Sequence, residues 1–214
     1  MTSTKLRRAG SASLSRINSS SSLAGFDSMN SRRFLALALA LAFVSGTTEA
    51  AGVVTGKSEI AFTMKQMGVN FDGRFRQWKA DIVFAPNALD KSKAEVDVDL
   101  GSLDLASTES EAEAKGPLWF NTAKFPLAHF ASTSIKSVGG DRYEIAGRLS
   151  MKGITRDYVV PITVKTDSAG TRTAEGSFSL KRLEYKVGEG EWADTGTVAD
   201  DVHVRVRMVL EPGA

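Results

Sequence analysis

The residues that could perform catalysis or bind a metal are few in this chain. Its 214 residues include two histidines, His129 and His203, and no cysteine. The lack of cysteine excludes a disulfide framework, a thiol nucleophile and a cysteine-ligated metal site. Both histidines stand in runs that alternate apolar and polar residues, so we expect them to face outward from strands. Since no Gly-x-Ser-x-Gly motif occurs either, we predict no catalytic residue and no metal site.

Two acidic clusters and one glycine-rich segment also lack the spacing of a binding site. The glutamates of 109–113 are two positions apart, so on a helix they diverge by about 200° from one to the next. The acids of 95–99 share one face of a strand, which is typical of a surface in water. Residues 188–191 contain acids that would repel a phosphate, and no Lys-Ser/Thr follows them. We interpret this last segment as a turn between the last two strands.

The apolar residues therefore carry most of the information about function, and most of them alternate with polar residues. A period of two predicts strands with one buried face. The pattern indicates about eight strands, in the runs Ile60–Met64, Phe71–Phe84, Val96–Leu100, Ala128–Ser134, Tyr143–Leu149, Val160–Val164, Phe178–Leu180 and Val202–Leu210.

One segment departs from this alternation. Ser107 is a good helix N-cap, and the acids and helix formers after it predict a short helix over 107–115. A second short turn is expected near 121–124. Closing eight antiparallel strands on themselves removes exposed sheet edges. We therefore predict an all-β fold, an eight-stranded antiparallel barrel with one or two short helices. Such a barrel has room for packed side chains or for one elongated ligand, and the alternation leaves both open.

The first 50 residues differ from the rest. Phe34–Val44 is an apolar run of 11 residues that follows two arginines, whereas a membrane-spanning helix needs about 20. The run is typical of a secretory signal peptide, with cleavage after Ala50 or after Gly46. We expect residues 29–50 to be this signal peptide and the protein to be periplasmic.

Residues 1–28 are rich in serine and arginine. The simplest interpretation is that the chain starts at Met29 and that these residues are a non-native extension; an organelle transit segment is the competing one. Of the 27 basic and 25 acidic residues, six and two lie in the first 50 positions, which leaves 21 and 23. This balance gives no reason to expect a nucleic-acid partner. We divide the rest into a short linker, 51–56, and one domain, 57–211.

Four blocks of the chain resemble the YceI-like family in order and spacing. The blocks are Phe62–Phe75, Trp119–Phe130, Gly147–Arg156 and Leu180–Asp200. One departure is that Lys65 or Gln66 stands where many members have a histidine. The resemblance implies a lipocalin-like, eight-stranded antiparallel barrel in a periplasmic protein that binds a long polyisoprenoid or an isoprenoid quinone.

The inward-facing apolar residues and the aromatic residues of the loops suggest where such a ligand would lie. We expect the tunnel wall to be formed by Phe62, Met64, Phe71, Phe75, Phe84, Phe130 and Phe178. We expect a lid at the mouth from Trp119, Phe120 and Phe125, with Trp192 from the opposite loop. No cofactor is implied apart from the ligand itself.

Partners and alternatives follow from the same reasoning. The block Leu180–Asp200 is similar to one subgroup of the family, and that subgroup resembles proteins associated with cytochrome b561-type membrane proteins. A membrane protein of this type is therefore one expected partner. A second copy of the chain, in a homodimer, is another. We expect a binding protein rather than an enzyme. One alternative is a filled barrel that acts through its surface as a stress-response or adaptor protein. Another is an isoprenoid-processing enzyme, which would need converging polar groups inside the barrel.

Overall fold

The computed structural model describes residues 52–212, which form ten strands, one α-helix and five short 3-10 helices. The strands are β1 (Glu59–Gln66), β2 (Val69–Phe75), β3 (Trp78–Val83), β4 (Lys93–Asp99), β5 (Leu103–Asp104), β6 (Leu127–Gly139), β7 (Arg142–Met151), β8 (Ile154–Thr166), β9 (Arg172–Lys181) and β10 (Asp201–Leu210). The α-helix is α1 (Thr108–Lys115). The 3-10 helices are Thr55–Lys57, Leu89–Lys91, Leu100–Ser102, Arg182–Tyr185 and Gly190–Ala193.

All ten strands belong to one curled sheet. Their order is β3-β4-β6-β7-β8-β9-β10-β1-β2-β5. Every neighbouring pair is antiparallel. The all-β, barrel-like fold expected from the alternation is therefore confirmed.

The strand count differs from the prediction because two strands bend. Residues 71–84, expected as one strand, form β2 and β3, which are separated at Arg76 and Gln77. The Arg76 N–H donates to the Ser102 carbonyl and the Asp99 N–H donates to the Gln77 carbonyl, both at 3.0 Å. The pairing of β2 with β5 and of β3 with β4 thus continues through the bend.

This bend also brings the two edges of the sheet together. β3 and β5 are the first and last strands of the sheet order, and β2 runs into β3 across only two residues. The ten segments therefore amount to eight long strands, of which β2–β3 and β4–β5 are bent. The inward-facing positions change from odd to even across this corner, from Phe75 to Ile82, but such a change does not by itself distinguish a bend from a turn or a β-bulge.

The short helix lies where the sequence predicts it. The Ser107 side chain caps α1 by accepting a hydrogen bond from the Ser110 N–H at 3.1 Å. Ala114 on α1 is buried against Phe62 and Leu103, so the helix lies against the inner face of the barrel wall. The expected second turn is also present, with the Lys124 N–H donating to the Asn121 carbonyl at 2.9 Å.

The start of the described chain is attached to the sheet. Within the expected linker 51–56, Val53 forms a bridge with Leu210, and the Val54 N–H donates to the Val209 carbonyl at 2.8 Å. This segment is therefore hydrogen-bonded to β10 as part of the barrel wall, and it is not a free linker. The predicted extension 1–28 and signal peptide 29–50 lie outside the described residues. Within 52–212 no helix is long and apolar enough to cross a membrane.

The outer face of the barrel is charged. His129 pairs with Asp97 at 2.7 Å and is exposed, and His203 alternates with inward-facing valines on β10. Both histidines thus face outward, as expected. Ion pairs between adjacent strands, such as Lys93 with Asp81 at 2.7 Å, are exposed and contribute little stability individually.

Two glycines on the inner face leave room for phenylalanine rings close to the sheet. A Cβ at Gly147 would overlap the Phe130 ring and lie 2.7 Å from the Ala131 carbonyl oxygen. A Cβ at Gly73 would similarly overlap Phe62, its partner on β1. The two rings fill the space that these glycines leave, so each glycine sets the position of one aromatic ring of the interior.

We predict that Gly147→Ala lowers the free energy of unfolding by about 1–3 kcal/mol, because the new Cβ displaces the Phe130 ring or the backbone. Urea denaturation measures this change. The matched control is Gly56→Ala, since nothing lies within 4 Å of a Cβ there. Equal stability of the two variants would contradict this account of the inner face.

Candidate ligand tunnel

The interior of the barrel contains a cavity of about 250 Å³. Its wall is apolar apart from Tyr143 and Arg182. For scale, a dry apolar cavity of about 150 Å³ in another protein is large enough to bind benzene. The cavity here therefore has room for a larger apolar molecule.

The buried side chains form three separate clusters around this space instead of one filled core. One cluster includes Leu100 and Tyr185, the second includes Phe62 and Leu103, and the third is centred on Ile162. Between them, many inward-facing side chains are only half-buried. These side chains are Val96, Val98, Phe130, Ile145, Phe178, Val204 and Val206. Half-buried apolar residues on the inside of a barrel indicate a hollow interior, which is the tunnel alternative of the sequence analysis.

The cavity is long and narrow. It is lined by every second residue of β10 from Val202 to Leu210, a length of roughly 27 Å at about 3.4 Å per residue. A cavity of this length and of about 250 Å³ suits a single extended chain better than a compact ligand.

Six of the seven residues predicted for the tunnel wall do line the cavity. They are Phe62, Met64, Phe75, Phe84, Phe130 and Phe178. The exception is Phe71, which lies opposite Met64 near the outer end of β2. It is half-buried but is not part of the cavity wall. Phe75, at the end of β2, lines the cavity, and the residues nearer the start of β2 do not.

Two of the four predicted lid residues line the cavity, namely Trp119 and Phe120. The other two do not. Phe125 is half-buried beside the turn at Gly153, where an added Cβ would lie 3.6 Å from its ring. Trp192 packs behind Trp119, with ring centroids 5.6 Å apart. Both stay predictions as lid residues, because their aromatic character and position in the chain do not show whether a ring lines the cavity or lies in the layer behind it.

At this end of the tunnel, aromatic rings form a continuous contact series. The Phe62 and Phe75 ring centroids are 5.7 Å apart, and those of Phe75 and Phe120 are 6.2 Å apart. Trp192 stabilises the layer behind them, because its indole Nε1–H donates to Glu113 on α1 at 3.0 Å. This hydrogen bond joins α1 to the loop that carries Trp192.

The opposite end of the tunnel is bounded by Phe84 and Tyr143, whose rings meet edge to face at 5.1 Å. The Arg172 guanidinium donates to the Phe84 carbonyl at 3.2 Å and lies 5.7 Å from the Phe84 ring centroid. This contact holds the end of the β3 edge against β9.

Arg182 is the most unusual polar residue of the site, because it is charged and only 1% exposed. We call residues 182–200, between β9 and β10, the capping segment. The Arg182 guanidinium donates five hydrogen bonds, all to backbone carbonyls of this segment. The acceptors are Ala199 (3.1 Å), Val187 (2.9 Å), Gly188 (2.8 Å), Trp192 (2.6 Å) and Val198 (2.7 Å).

These five bonds use every guanidinium N–H, so Arg182 folds the capping segment around itself. Burial lowers the pKa of Arg182, and the nearby Asp200 carboxylate opposes that shift. Asp200 also accepts a hydrogen bond from the Leu183 N–H at 3.0 Å, which fixes the first turn of the segment.

Lys152 attaches the capping segment to the β7–β8 turn. Its ammonium group donates to the Lys186 carbonyl and lies 3.6 Å from a Glu189 carboxylate oxygen. Burial lowers the pKa of Lys152, while Glu189 acts in the opposite direction. Lys152 and Lys186 both have positive φ angles, 50° and 56°, so each occupies a tight turn that brings the two segments together.

Tyr185 completes this end of the barrel. It is fully buried, and its hydroxyl donates to the Leu149 carbonyl of β7 at 3.2 Å. Burial raises the pKa of Tyr185 far above its ordinary value, with the neighbouring Tyr158 acting in the same direction, and burial also raises the pKa of Tyr158. Both phenols therefore stay neutral and pack at this end of the barrel.

Sequence reasoning missed Arg182, Lys152 and Tyr185 as parts of this end. Arg182 and Lys152 lie within the blocks that resemble the YceI-like family, so the resemblance contained a signal for them. Composition and periodicity did not, because an arginine between strands normally predicts a solvated loop.

Within 52–212 no group of three or more histidine, aspartate or glutamate residues could hold a metal ion. Tyr143 and Arg182 are the ionisable residues of the cavity wall, and they belong to opposite ends of the tunnel.

The fold and the cavity together define a class of protein: a lipocalin-like antiparallel barrel with an elongated apolar interior. The family model described as "YceI-like domain" matches residues 52–210. The chain therefore belongs to the YceI-like family, as its sequence blocks suggested.

Relatives and solved structures agree with this assignment. A "UPF0312 protein" of Azotobacter vinelandii is 30% identical over 191 residues, which cover 84% of this chain and 97% of that protein. One of Shewanella denitrificans is 32% identical over 114 residues, or 53% of this chain and 58% of that protein.

Among solved structures, BcnA of Burkholderia cenocepacia matches with a TM-score of 0.71 and 34% identity, over 74% of this chain and 99% of that chain. A domain of Saccharophagus degradans, described as polyisoprenoid binding, matches with a TM-score of 0.61 and 16% identity, over 77% of this chain and 99% of that chain. At that identity the second match supports the fold alone.

We predict that Arg182→Lys lowers the free energy of unfolding by about 2–5 kcal/mol, because lysine has three donors for five buried carbonyls and each unpartnered carbonyl costs about 1–3 kcal/mol. Urea denaturation measures the loss, and hydrogen exchange of residues 182–200 locates it. The matched control is Arg205→Lys on the outer face, where the side chain is 48% exposed and we expect a change within about 0.5 kcal/mol. A loss no larger at Arg182 than at Arg205 would contradict this role.

Proposed function

We propose that this protein binds one isoprenoid chain, a polyisoprenoid or the tail of an isoprenoid quinone, inside the tunnel. The observation that carries the proposal is the long cavity of about 250 Å³ with an almost wholly apolar wall. The neighbour of the same fold from Saccharophagus degradans is itself described as a polyisoprenoid-binding domain, which is the ligand class that we propose here.

The energetics favour such a ligand. Each buried CH₂-sized group of a hydrocarbon chain contributes about 0.8 kcal/mol. A chain that occupies even part of a tunnel roughly 27 Å long thus has a large driving force to leave water. The half-buried Phe130, Phe178 and Val204 side chains would become fully buried at the same time.

The setting of this activity is part of the proposal. The predicted signal peptide over 29–50 supports a periplasmic location, where an insoluble lipid needs a carrier or a holder. For a quinone, any electron chemistry belongs to the ligand, and a cytochrome b561-type membrane protein is the partner that we propose. A homodimer stays a prediction.

The two alternatives from the sequence have less support. A filled barrel that acts through its surface requires a packed interior. The interior of this barrel instead contains a cavity of about 250 Å³. An isoprenoid-processing enzyme requires converging polar groups, but Tyr143 and Arg182 lie at opposite ends of the wall and the Arg182 donors are all engaged with backbone carbonyls.

We predict that Ala174→Phe abolishes binding of isoprenoid lipids without unfolding the protein. Ala174 on β9 lines the tunnel next to Met208, its cross-strand partner on β10. A phenyl ring at position 174 would fill space that the ligand needs. The matched control is Ala131→Phe, because Ala131 pairs with Glu95 and Arg148 on the outer face. Circular dichroism checks the fold of both variants.

The readout is ligand-induced thermal stabilisation. Ligand at about 100 times its Kd stabilises the folded state by about 2.7 kcal/mol, so polyprenol or ubiquinone should raise Tm for the wild type and for Ala131→Phe, but not for Ala174→Phe. No rise in the wild type, or an equal rise in all three, would contradict binding in the tunnel.

A further inference from the structure

The backbone pairing between β8 and β9 stops before either strand ends. It covers only residues 162–166 of β8 and 172–176 of β9. Both strands continue beyond these residues, β8 over 154–161 and β9 over 177–181, and each stays paired there with its other neighbour, β7 or β10. The barrel wall is therefore divided along these two stretches, and we call the space between them the split.

Pro161 explains why the pairing stops at this point. The Val164 N–H donates to the Asp141 carbonyl, so even-numbered residues of β8 direct their backbone groups to β7 and odd-numbered residues direct theirs to β9. Position 161 would face Ser177 if the register continued, but proline has no N–H to donate. The next odd-numbered positions of β8 face the split without a strand partner in the described part of the chain.

The tunnel lies directly behind the split. Val160 on the β8 side and Phe178 and Leu180 on the β9 side all line the cavity. The Tyr158 ring packs against Phe178, with ring centroids 5.3 Å apart, and Tyr158 is not itself part of the cavity wall. Side chains, and not backbone hydrogen bonds, therefore close the wall at the split.

An ion pair spans the split at its capped end. Arg156 is opposite Leu149, which lines the cavity, so Arg156 belongs to the inner face of β8. Its side chain is nevertheless 47% exposed, and its Nε lies 3.7 Å from a carboxylate oxygen of Glu184 in the capping segment. An inner-face side chain reaches water here because the neighbouring wall is not closed by a paired strand.

We propose that the split is the portal through which the isoprenoid chain enters and leaves the tunnel. The Tyr158 and Phe178 rings form its gate, and the Arg156–Glu184 ion pair holds it closed. This inference rests on the proposed function and adds to it the route of the ligand. Opening the portal requires rotation of side chains and separation of one exposed ion pair, which contributes little to the stability of the folded state.

Other routes into the tunnel meet larger obstacles. A chain that passed between two paired strands would break several backbone hydrogen bonds of the sheet. At one end of the tunnel, five hydrogen bonds from Arg182 hold the capping segment in place. At the other end, the Phe84 and Tyr143 rings are in contact, and Arg172 donates to the Phe84 carbonyl. The split opens without breaking any of these contacts.

The first experiment closes the portal with a reversible cross-link. The chain has no cysteine, so two introduced thiols can be joined selectively. Val159→Cys with Ser179→Cys places one thiol on each side of the split, at positions that would be opposite each other if the register continued. A short bis-methanethiosulfonate linker joins them, and a reductant releases them. The matched control is Glu175→Cys with Arg207→Cys, an opposite pair on β9 and β10, where the strands are already paired.

The probe is labelled hexaprenol, and its transfer between the protein and cyclodextrin gives the association rate, the dissociation rate and Kd. We expect the linker across the split to slow both rates by about 10-fold or more, because it blocks a gated step, and to leave Kd unchanged, because a barrier on the route does not alter the end states. Reduction should restore the rates. The linker between β9 and β10 should change neither rate.

The second experiment weakens the ion pair. We expect Arg156→Gln to raise both rates by about 2- to 5-fold, the factor that corresponds to the loss of one exposed ion pair, and to leave Kd unchanged. A residue that only stabilised the bound state would change Kd. Lys93→Gln is the matched control, because it removes an exposed ion pair with Asp81 between β3 and β4, which are fully paired. We expect no change of either rate in that variant.

The outcomes distinguish the portal from the function on which it rests. Rates that stay the same when the split is linked, or that fall equally with both linkers, would overturn the portal and leave isoprenoid binding intact. Equal acceleration in Arg156→Gln and Lys93→Gln would overturn the role of the ion pair. If the wild type binds no hexaprenol at equilibrium, the proposed function fails and this inference with it.

Discussion

The five hydrogen bonds from the Arg182 guanidinium to backbone carbonyls are the interaction on which the capped end of this barrel depends. A charge that is 99% buried is costly unless its hydrogen-bonding capacity is used completely. Here carbonyls of residues 187–199 supply all five acceptors, so the loop must wrap around the side chain. The same loop then positions Trp192 against Trp119 and receives Lys152 from the β7–β8 turn.

The capped end must contribute stability because the interior of the barrel is not filled with side chains. An empty apolar cavity lowers stability in proportion to its volume, on the order of several kcal/mol for a cavity of this size. The hydrogen-bonded sheet, the bend that joins its edges and the packed clusters at the two ends offset that cost. A ligand that fills the cavity would recover part of it, which links binding directly to stability.

Much of the fold could be predicted from the sequence, because a sheet with one buried face produces an alternation of apolar and polar residues along each strand. Alternation located the strands, and Ser107 located the helix. The bend at Arg76–Gln77 was not predicted. The inward-facing positions change there from odd (Phe75) to even (Ile82 and Phe84), but such a change alone does not distinguish a bend from a turn or a β-bulge. The same limit applied to the site. Inward-facing alternation selected residues such as Phe62, Phe130 and Phe178, which line the cavity. Aromatic character alone did not show that Phe125 and Trp192 lie outside that lining. Arg182 was not recognised because its burial depends on carbonyls up to 17 positions away, which no local pattern shows.

The central claim is that the tunnel holds an isoprenoid lipid, and the most direct test is native mass spectrometry of the protein purified without detergent from the cell envelope of its own organism, followed by organic extraction. The account predicts a discrete added mass that extracts as a prenyl lipid or an isoprenoid quinone. The mass of the bare chain alone, unchanged after incubation with polyprenyl lipids, would contradict it.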